Sequence, residues 1–494
     1  MPENTHIELI ETVAERVPQE AKPAPDLKQL RRNAEELNKL LAWNPSVHHS
    51  DFFFARWRAM AAGLRPALEK VGRTPRTDQD AEDLCWLRDN LPLVWAELWN
   101  TKNAFKLLRR LPHVRTPKGV TIPRAAGIAE AYLHAVDFDF SEASFLAYLD
   151  AFQKTTPLKF RELWAVLPAM ELVLLEQVAI RAQKVFDNSE PAAVGVCVRS
   201  LREINQVHWK ESLEPHIAFD RVLREDPMGA YPRMDFDSRN FYREKLVKIA
   251  ERTDLTEVEV AHEVLTLARN AAERKLDNPR LLARESHIGY YLVGEGTSEL
   301  QDRVGFRPTL ANKVRSFLRS HPDEFYVPGI AILTFVILGT ILLLLTSRFT
   351  PPGLILFSGL VLLLPCSQSA VQLMNYLTTA LLRPQILPKL DFAKGIPGES
   401  TTLVAVPALL LNEKQVRHLV QDLEVRFLAN HDPNLHFALL TDLADSPVPA
   451  REDDPLVDLC ADLIKQLNEK YAEREAGSFL LLHRHRVYNP REKV

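Results

Sequence analysis

Cysteine is scarce in this chain of 494 residues, and its copies stand far apart. The four cysteines are Cys85, Cys197, Cys366 and Cys460, with no CxxC pair among them. This spacing argues against a disulfide framework and a cysteine-based zinc site, and it fits a reducing cytosol. The chain also lacks the P-loop pattern GxxxxGK[ST], the nucleophile pattern GxSxG and the metalloprotease pattern HExxH.

A large excess of one charge is also missing, because the formal net charge is only −4. No long basic run with interleaved aromatic residues is present, which argues against DNA or RNA as a partner. The first residues, MPENTHIELIETVAERV, contain no basic region followed by an apolar core. The N-terminus therefore does not resemble a secretory signal.

Charge is entirely absent from two apolar stretches, 326–347 and 353–377, which contain no Asp, Glu, Lys or Arg. A helix rises about 1.5 Å per residue, so roughly 20 residues cross a hydrocarbon core of about 30 Å. Each stretch is long enough, and the short connection 348–352 predicts an antiparallel transmembrane hairpin. The alternative is a buried helical hairpin inside a soluble domain, whose core helices are rarely free of charge over such a length.

Positive charge lies on the outer sides of this hairpin, while its connection carries only Arg348. The flanking cations are Arg307, Lys313, Arg315, Arg319, Arg383, Lys389 and Lys394. Cytoplasmic flanks hold the excess of Lys and Arg. The pattern therefore predicts a two-pass protein in the lipid bilayer, with both termini in the cytoplasm.

The region before the hairpin divides into a polar, proline-containing tail, 1–26, expected to be disordered, and a helical domain, 27–320. Pro92 should kink or divide the apolar run that surrounds it. Thr256 followed by Glu259 has the spacing of a capping box, which predicts a helix start. The seven tryptophans, all in this region, are most simply core residues, although aromatic rings can also line a sugar site.

After the hairpin, residues 400–494 alternate between β-branched apolar runs and amphipathic helices. The order is strand 401–406 ending at Pro407, a helix from Glu413 capped by Asn412, strand 436–440, a helix from Pro455 preceded by Asp453 and Asp454, and strand 478–482. This alternation predicts a parallel α/β sheet.

Ligands of such sheets bind beyond the carboxyl ends of the strands, where Pro407 and Asp442 are expected. A carboxylate such as Asp442 can accept hydrogen bonds from a uracil or a ribose. The alternative is an aspartate that only ends a strand and starts a turn. His483 and His485 would share one strand face, but without a third ligand they predict a strand edge facing solvent or phosphate rather than a metal site.

Long segments of the chain resemble the N-terminal portion of cyclic β-1,2-glucan synthases, which are very large inner-membrane glycosyltransferases. In the helical part they are TTPLKFRELWAVLPAMELVLLEQV (155–178), the stretch 200–252 and SHIGYYLVGEG (286–296). After the hairpin they are the stretch 400–445 and FLLLHRHRVYNPRE (479–492). The similar text covers roughly residue 80 to the C-terminus.

The resemblance implies transfer of glucose from UDP-glucose to a growing β-1,2-glucan at the bacterial inner membrane. It also implies a GT-A-like nucleotide-sugar fold with Pro407 and Asp442 on the donor side. A divalent metal, Mg²⁺ or Mn²⁺, is implied as the cofactor, because the charge on the departing diphosphate must be neutralised. Its ligands and the general base are expected beyond Val494.

The expected fold class is therefore mixed, with a large mainly α-helical domain, a two-helix transmembrane hairpin and a truncated α/β domain. We expect the chain to be a truncated or split synthase, incomplete as an enzyme by itself, whose partner could be the missing C-terminal part. The alternative is a non-catalytic, membrane-anchored helical scaffold or regulatory protein of a glucan synthase.

Overall fold

The computed structural model describes residues 26–49, 51–74, 82–108, 110–116, 119–186, 193–274, 278–345, 351–382, 387–445, 454–472, 478–484 and 491. The predicted disordered tail lies, apart from Asp26, outside the described residues. Residues 348–350 of the predicted connection, Asp453 and His485 lie outside them as well.

The chain forms two compact units. The first comprises Met1–Pro232 and Phe236–Pro388, and the second comprises Arg233–Asp235 and Lys389–Val494. Segment Arg233–Asp235 belongs to the second unit because Met234 forms an antiparallel bridge with Leu390. Each unit is described by itself below.

The first unit is mainly helical, and most of its helices are joined by short turns. Its longer helices, where described, are α1 (Leu27–Leu40), α2 (Phe52–Arg73), α3 (Glu82–Asp89), α4 (Leu91–Leu107), α5 (Arg124–Ala135), α6 (Glu142–Gln153), α7 (Phe160–Phe186) and α8 (Val194–Gln206). Further along lie α9 (Trp209–Leu213), α10 (Asp220–Leu223), α11 (Phe236–Ala250), α12 (Glu257–Ala272), α13 (Pro279–Glu285), α14 (Ile288–Leu292), α15 (Thr297–Arg303), α16 (Leu310–Ser320), α17 (Pro322–Leu345) and α18 (Pro352–Leu381).

Two local sequence signals are confirmed in this unit. The chain breaks between α3 and α4, and Pro92 lies in the first turn of α4, where its missing N–H leaves no intrahelical bond unmade. Thr256 caps α12, since its side chain accepts from the Glu259 N–H while the Glu259 carboxylate accepts from the Thr256 N–H. Both signals depend only on neighbouring residues.

The helical pattern of 27–320 is interrupted at one place by strands. Strands β1 (Ala42–His49), β2 (Arg110–Arg115) and β3 (Thr121–Pro123) form an antiparallel sheet in the order β1-β2-β3. The first two strands each contain a proline and lie far apart in sequence. Pairing between distant segments, rather than local propensity, decides such strands.

Three helices of the described chain are long and apolar enough to cross a membrane, namely α7, α17 and α18. The sequence analysis singled out only the last two, because α7 contains Glu and Arg within its apolar run. Within α7, 72% of the apolar window is buried in the protein, against 11% in each of the others. Helix α7 packs against α2, α3, α4, α5 and α8 and so forms the centre of the first unit.

Helices α17 and α18 pack against each other along their length. Tyr326 donates a hydrogen bond to Asn375 over 2.7 Å, and Met374 packs on Gly329, where a Cβ would lie 2.8 Å from its methyl group. Near the opposite ends, Leu342 lies beside Gly359. These contacts run in antiparallel order, while only 11% of the apolar window of each helix is buried.

The tryptophans occupy both environments. Trp57 is buried and donates from its indole N–H to the Leu98 carbonyl over 3.1 Å. Trp95 and Trp99 are exposed. The core interpretation therefore describes Trp57 but not the pair on α4.

The second unit contains a parallel sheet, as the alternation of runs predicted. Its described elements are β4 (Thr402–Leu410), α19 (Glu413–Ala429), β5 (Leu435–Leu443), α20 (Pro455–Lys470) and β6 (Phe479–His483). All neighbouring strands are parallel, in the order β4-β5-β6. Asn412 caps α19 by accepting from the Gln415 N–H, and Asp454 caps α20 by accepting from the Leu456 N–H.

Candidate functional site

The two faces of the parallel sheet differ in what covers them. Helices α19 and α20 pack on one face, around a core that includes Val420, Phe427, Phe437 and Ile464. On the other face lie the exposed side chains of Leu403, Leu409, Leu440, Leu480 and Leu482. The described helices of this unit therefore leave one sheet face open, although both faces of parallel sheets are usually buried.

Asp442 lies at the carboxyl end of the sheet on this open face. It is the penultimate residue of β5, it pairs with Leu409 of β4, and its side chain is about one-third exposed. One carboxylate oxygen accepts from the Leu443 N–H over 2.9 Å. The other oxygen lies 3.5 Å from Nη1 of Arg484, which directly follows β6.

The Asp442–Arg484 pair is a feature that the sequence reasoning missed. The meeting of these two residues depends on the strand register, in which Thr441 pairs with His483. The next residue of each strand then falls on the open face, because successive side chains of a strand alternate. Aligning the runs 436–440 and 478–482 so that Thr441 pairs with His483 would have placed Asp442 beside Arg484.

His483 faces the opposite way from Asp442. Its Nδ1 lies 3.0 Å from the hydroxyl of Thr441, which is buried on the helix-covered side of the sheet. This hydrogen bond gives His483 a structural contact within the sheet.

The position predicted for Pro407 needs correction, because β4 does not end there. The strand continues to Leu410, and Pro407 pairs with Leu440 inside the sheet. Proline is tolerated since β4 lies at the edge of the sheet that the described residues form, where a missing N–H removes no ladder bond. Pro407 lies on the same open face as Asp442. Its partner Leu440 comes two residues before Asp442, so Pro407 is further from the carboxyl edge of the sheet. Their roles in donor binding stay predictions.

The described residues around Asp442 do not suit a divalent metal. In the part of the chain that the structure describes, no three His, Cys, Asp or Glu side chains come together as a metal site would require. The Arg484 guanidinium lies 3.5 Å from the Asp442 carboxylate, and a second cation there would be repelled. We therefore derive no step through a metal from these residues.

A cavity of about 470 Å³ lies in the first unit, between α6 and the region where α8 meets α9. Three carboxylates line it, those of Glu142, Glu203 and Glu211, together with His208 and Gln206. No Lys or Arg belongs to the lining. This charge disfavours a diphosphate, so the cavity does not suit a sugar-nucleotide donor.

One curated protein was found to be similar to this chain. The cyclic beta-(1,2)-glucan synthase NdvB of Rhizobium meliloti (strain 1021) is 27% identical over 83% of the chain. A continuous match of that extent necessarily includes α7, α17, α18 and most of β4. The match confirms the resemblance to the synthase family. No protein-family model matches the chain.

The chain corresponds to only a small part of that relative, since the match covers 17% of the relative's length. That this chain shares the activity of the whole relative is therefore a proposal.

Proposed function

We propose that this chain takes part in the synthesis of a β-1,2-glucan, as a membrane-anchored component whose second unit binds the UDP-glucose donor. The observation that carries the proposal is the 27% identity to a cyclic glucan synthase over 83% of the chain. The parallel sheet with Asp442 at its carboxyl edge adds support, because ligands of α/β sheets bind at that edge.

In this proposal, Asp442 orients the nucleoside part of the donor. An ionised carboxylate only accepts hydrogen bonds, and the N3–H of uracil and the hydroxyls of ribose are suitable donors. Arg484 is highly exposed and lies close enough to meet the diphosphate, for which its planar guanidinium is well suited. The 3.5 Å contact between the two side chains is long and solvated, so opening it costs little.

The proposed transfer makes a further chemical demand. The acceptor hydroxyl must lose a proton as it attacks the glucose carbon, which requires a general base within hydrogen-bond reach. Neutralising the diphosphate normally requires a divalent metal as well. We assign neither role to a described residue.

In the same proposal, α17 and α18 cross the inner membrane, and both flanks lie in the cytoplasm. The support is their length, their lack of internal charge and the Lys and Arg residues outside them. Reporter fusions to the two ends should both give a cytoplasmic signal. A periplasmic signal from either end would contradict the two-pass topology.

The donor site is tested by measuring UDP-glucose binding to the chain in lipid nanodiscs. Asp442→Ala removes an acceptor of one or two donor hydrogen bonds and should weaken binding about tenfold, which corresponds to roughly 1.4 kcal/mol. Asp445→Ala is the matched control, because Asp445 is an exposed carboxylate three residues further along. Equal affinities of the two variants would contradict the role of Asp442.

The alternative function is a non-catalytic scaffold for a glucan synthase. Incorporation of labelled glucose by membranes, with and without the remaining synthase regions, separates the two. Loss of incorporation in Asp442→Ala supports the donor-binding role. Full incorporation in Asp442→Ala, but none when the chain is omitted, supports the scaffold.

A further inference from the structure

Helix α16 combines exposed apolar side chains with a cationic sequence. Leu310 and Phe317 are 81% and 56% exposed, although both are large and apolar. They are seven residues apart, which is two helical turns, so they lie on the same face. Segment 310–320 carries Lys313, Arg315 and Arg319 and contains no Asp or Glu.

The position of α16 limits what can cover its apolar face. Only His321 separates α16 from α17, which begins at Pro322 and is one of the two exposed apolar helices. If α17 crosses the bilayer, the C-terminal end of α16 must lie within a few residues of the headgroups. Ring stacking of Phe317 on His321, with centroids 4.8 Å apart, still leaves more than half of Phe317 uncovered.

We propose that α16 lies in the plane of an anionic membrane surface, with Leu310 and Phe317 in the acyl boundary and its cations at the lipid phosphates. This inference rests on the membrane crossing by α17 in the proposed function. Interfacial helices have one apolar face and a polar face rich in Lys and Arg. Each cation near an anionic leaflet is attracted to it, and long Lys and Arg side chains extend to the headgroups. The charge of α16 therefore matches a lipid surface.

The test uses the full chain in vesicles, with a spin label on a cysteine introduced at one position. Cys85→Ser removes the partly exposed thiol, while Cys197, Cys366 and Cys460 are buried. The labelled positions are Phe317→Cys and, as matched control, Ser316→Cys, which is exposed and points away from the apolar face. Oxygen concentrates in the bilayer, whereas a nickel chelate stays in water. The relaxation of the spin label by each reagent therefore reports the depth of the label in the bilayer.

In vesicles containing phosphatidylglycerol, the ratio of oxygen to nickel relaxation should be roughly tenfold higher at Phe317→Cys than at Ser316→Cys. In pure phosphatidylcholine the ratio at Phe317→Cys should fall, because the cations lose their lipid partners. Equal ratios at both positions would overturn the proposal. A label at Phe317→Cys shielded from both reagents would also overturn it and would indicate a protein partner, such as a second copy of the chain.

A label at Phe335→Cys distinguishes failure of this inference from failure of the membrane crossing. Phe335 is 69% exposed in the middle of α17. Oxygen access at Phe335→Cys, together with nickel access at Phe317→Cys, overturns only the interfacial position of α16. Nickel access at both positions overturns the membrane crossing as well.

Discussion

Helices α7 and α17 are both long and apolar enough to cross a membrane, yet protein buries the first and leaves the second exposed. Helix α7 lies at the centre of the first unit, with 72% of its apolar window buried by protein. Helix α17 has 11% of its window buried, and exposed apolar side chains such as Phe335 and Leu344. In this chain, being long and apolar enough for a membrane span therefore does not separate a helix that protein buries from one that it leaves exposed.

The difference lies in a few acidic residues and their partners. Glu162 of α7 is fully buried and accepts from the Arg124 Nε–H over 2.8 Å. Glu176 accepts two hydrogen bonds from Arg56, each 2.6 Å long. In α17 no charged residue follows the first turn. A carboxylate on an apolar helix needs a partner that protein can supply and lipid cannot.

Glu171 of α7 has a weaker partner than the other two carboxylates. Its only described hydrogen bond comes from the Thr101 hydroxyl over 3.2 Å. Burial raises the pKa of Glu171 to about 7, and repulsion from the nearby Glu97 carboxylate adds to this rise. The Thr101 hydrogen bond lowers the pKa by less. This carboxyl is therefore a source of instability within the core of the first unit.

The largest effect is expected when each helix is taken out of its surroundings. Fused singly into a membrane-insertion reporter, segment 322–345 should insert and segment 160–185 should not. Glu171 and Glu176 lie near the centre of α7, where each charged side chain opposes insertion by about 2.5–3.5 kcal/mol. Replacing both by leucine should make α7 insert. Insertion of the unaltered segment 160–185 would show that these carboxylates do not explain why α7 and α17 have different surroundings.

A smaller effect is expected from removing the partner of Glu162. Arg124→Ala leaves a buried carboxylate unpaired, and the free energy of unfolding should fall by about 3–5 kcal/mol. Thermal unfolding of the solubilised chain measures it. Arg269→Ala is the control, because its pair with Glu225 is more than half exposed and should contribute under about 1 kcal/mol. Similar losses in the two variants would contradict the role of burial.

The smallest effect is expected for Glu171→Gln, and it should depend on pH. Because the folded-state pKa is raised from 4.5 to about 7, the folded state holds its proton more tightly, and stability falls as pH rises between these values. Glu171→Gln removes this loss and should stabilise the protein by about 1–2 kcal/mol at pH 8. Near pH 4 the difference should vanish.

Glu176→Gln provides the matched comparison, since the same change on the same helix breaks an ion pair with Arg56. Burial raises the pKa of Glu176 overall, although the Arg56 guanidinium lowers it and stabilises the carboxylate. The expected loss comes from Arg56, which keeps Glu130 but loses its two hydrogen bonds to Glu176. We expect Glu176→Gln to destabilise the protein at pH 8. Unfolding midpoints across pH test the pair, and a shared sign for the two variants would contradict the distinction drawn here.

Local features of the fold were predictable from the sequence because neighbouring residues alone produce them. Thr256 with Glu259, Asn412 before Glu413 and Asp454 before Pro455 each fix a helix start through hydrogen bonds within one turn. The alternation of runs after residue 400 likewise gave three parallel strands. Asp442 was placed at a strand end for the same reason.

Features that depend on distant partners were not predictable in this way. Pro407 was expected at a strand end because the apolar run 401–406 stops there, but β4 continues through it at the edge of the described sheet, and only the order of that sheet shows this. Strand β1 pairs with β2 more than sixty residues away, and no local pattern indicates that pairing. The approach of Arg484 to Asp442 depends on the same kind of register.

The sequence by itself determined which segments are apolar, where many helices begin and which family the chain resembles, because these properties depend on residue identity and short spacing. The tertiary structure alone decided that α7 is surrounded by protein while α17 and α18 are not. The physical reason is that an apolar helix can be buried equally well by side chains or by lipid. What selects between them is whether other segments bring Arg56 and Arg124 to its carboxylates.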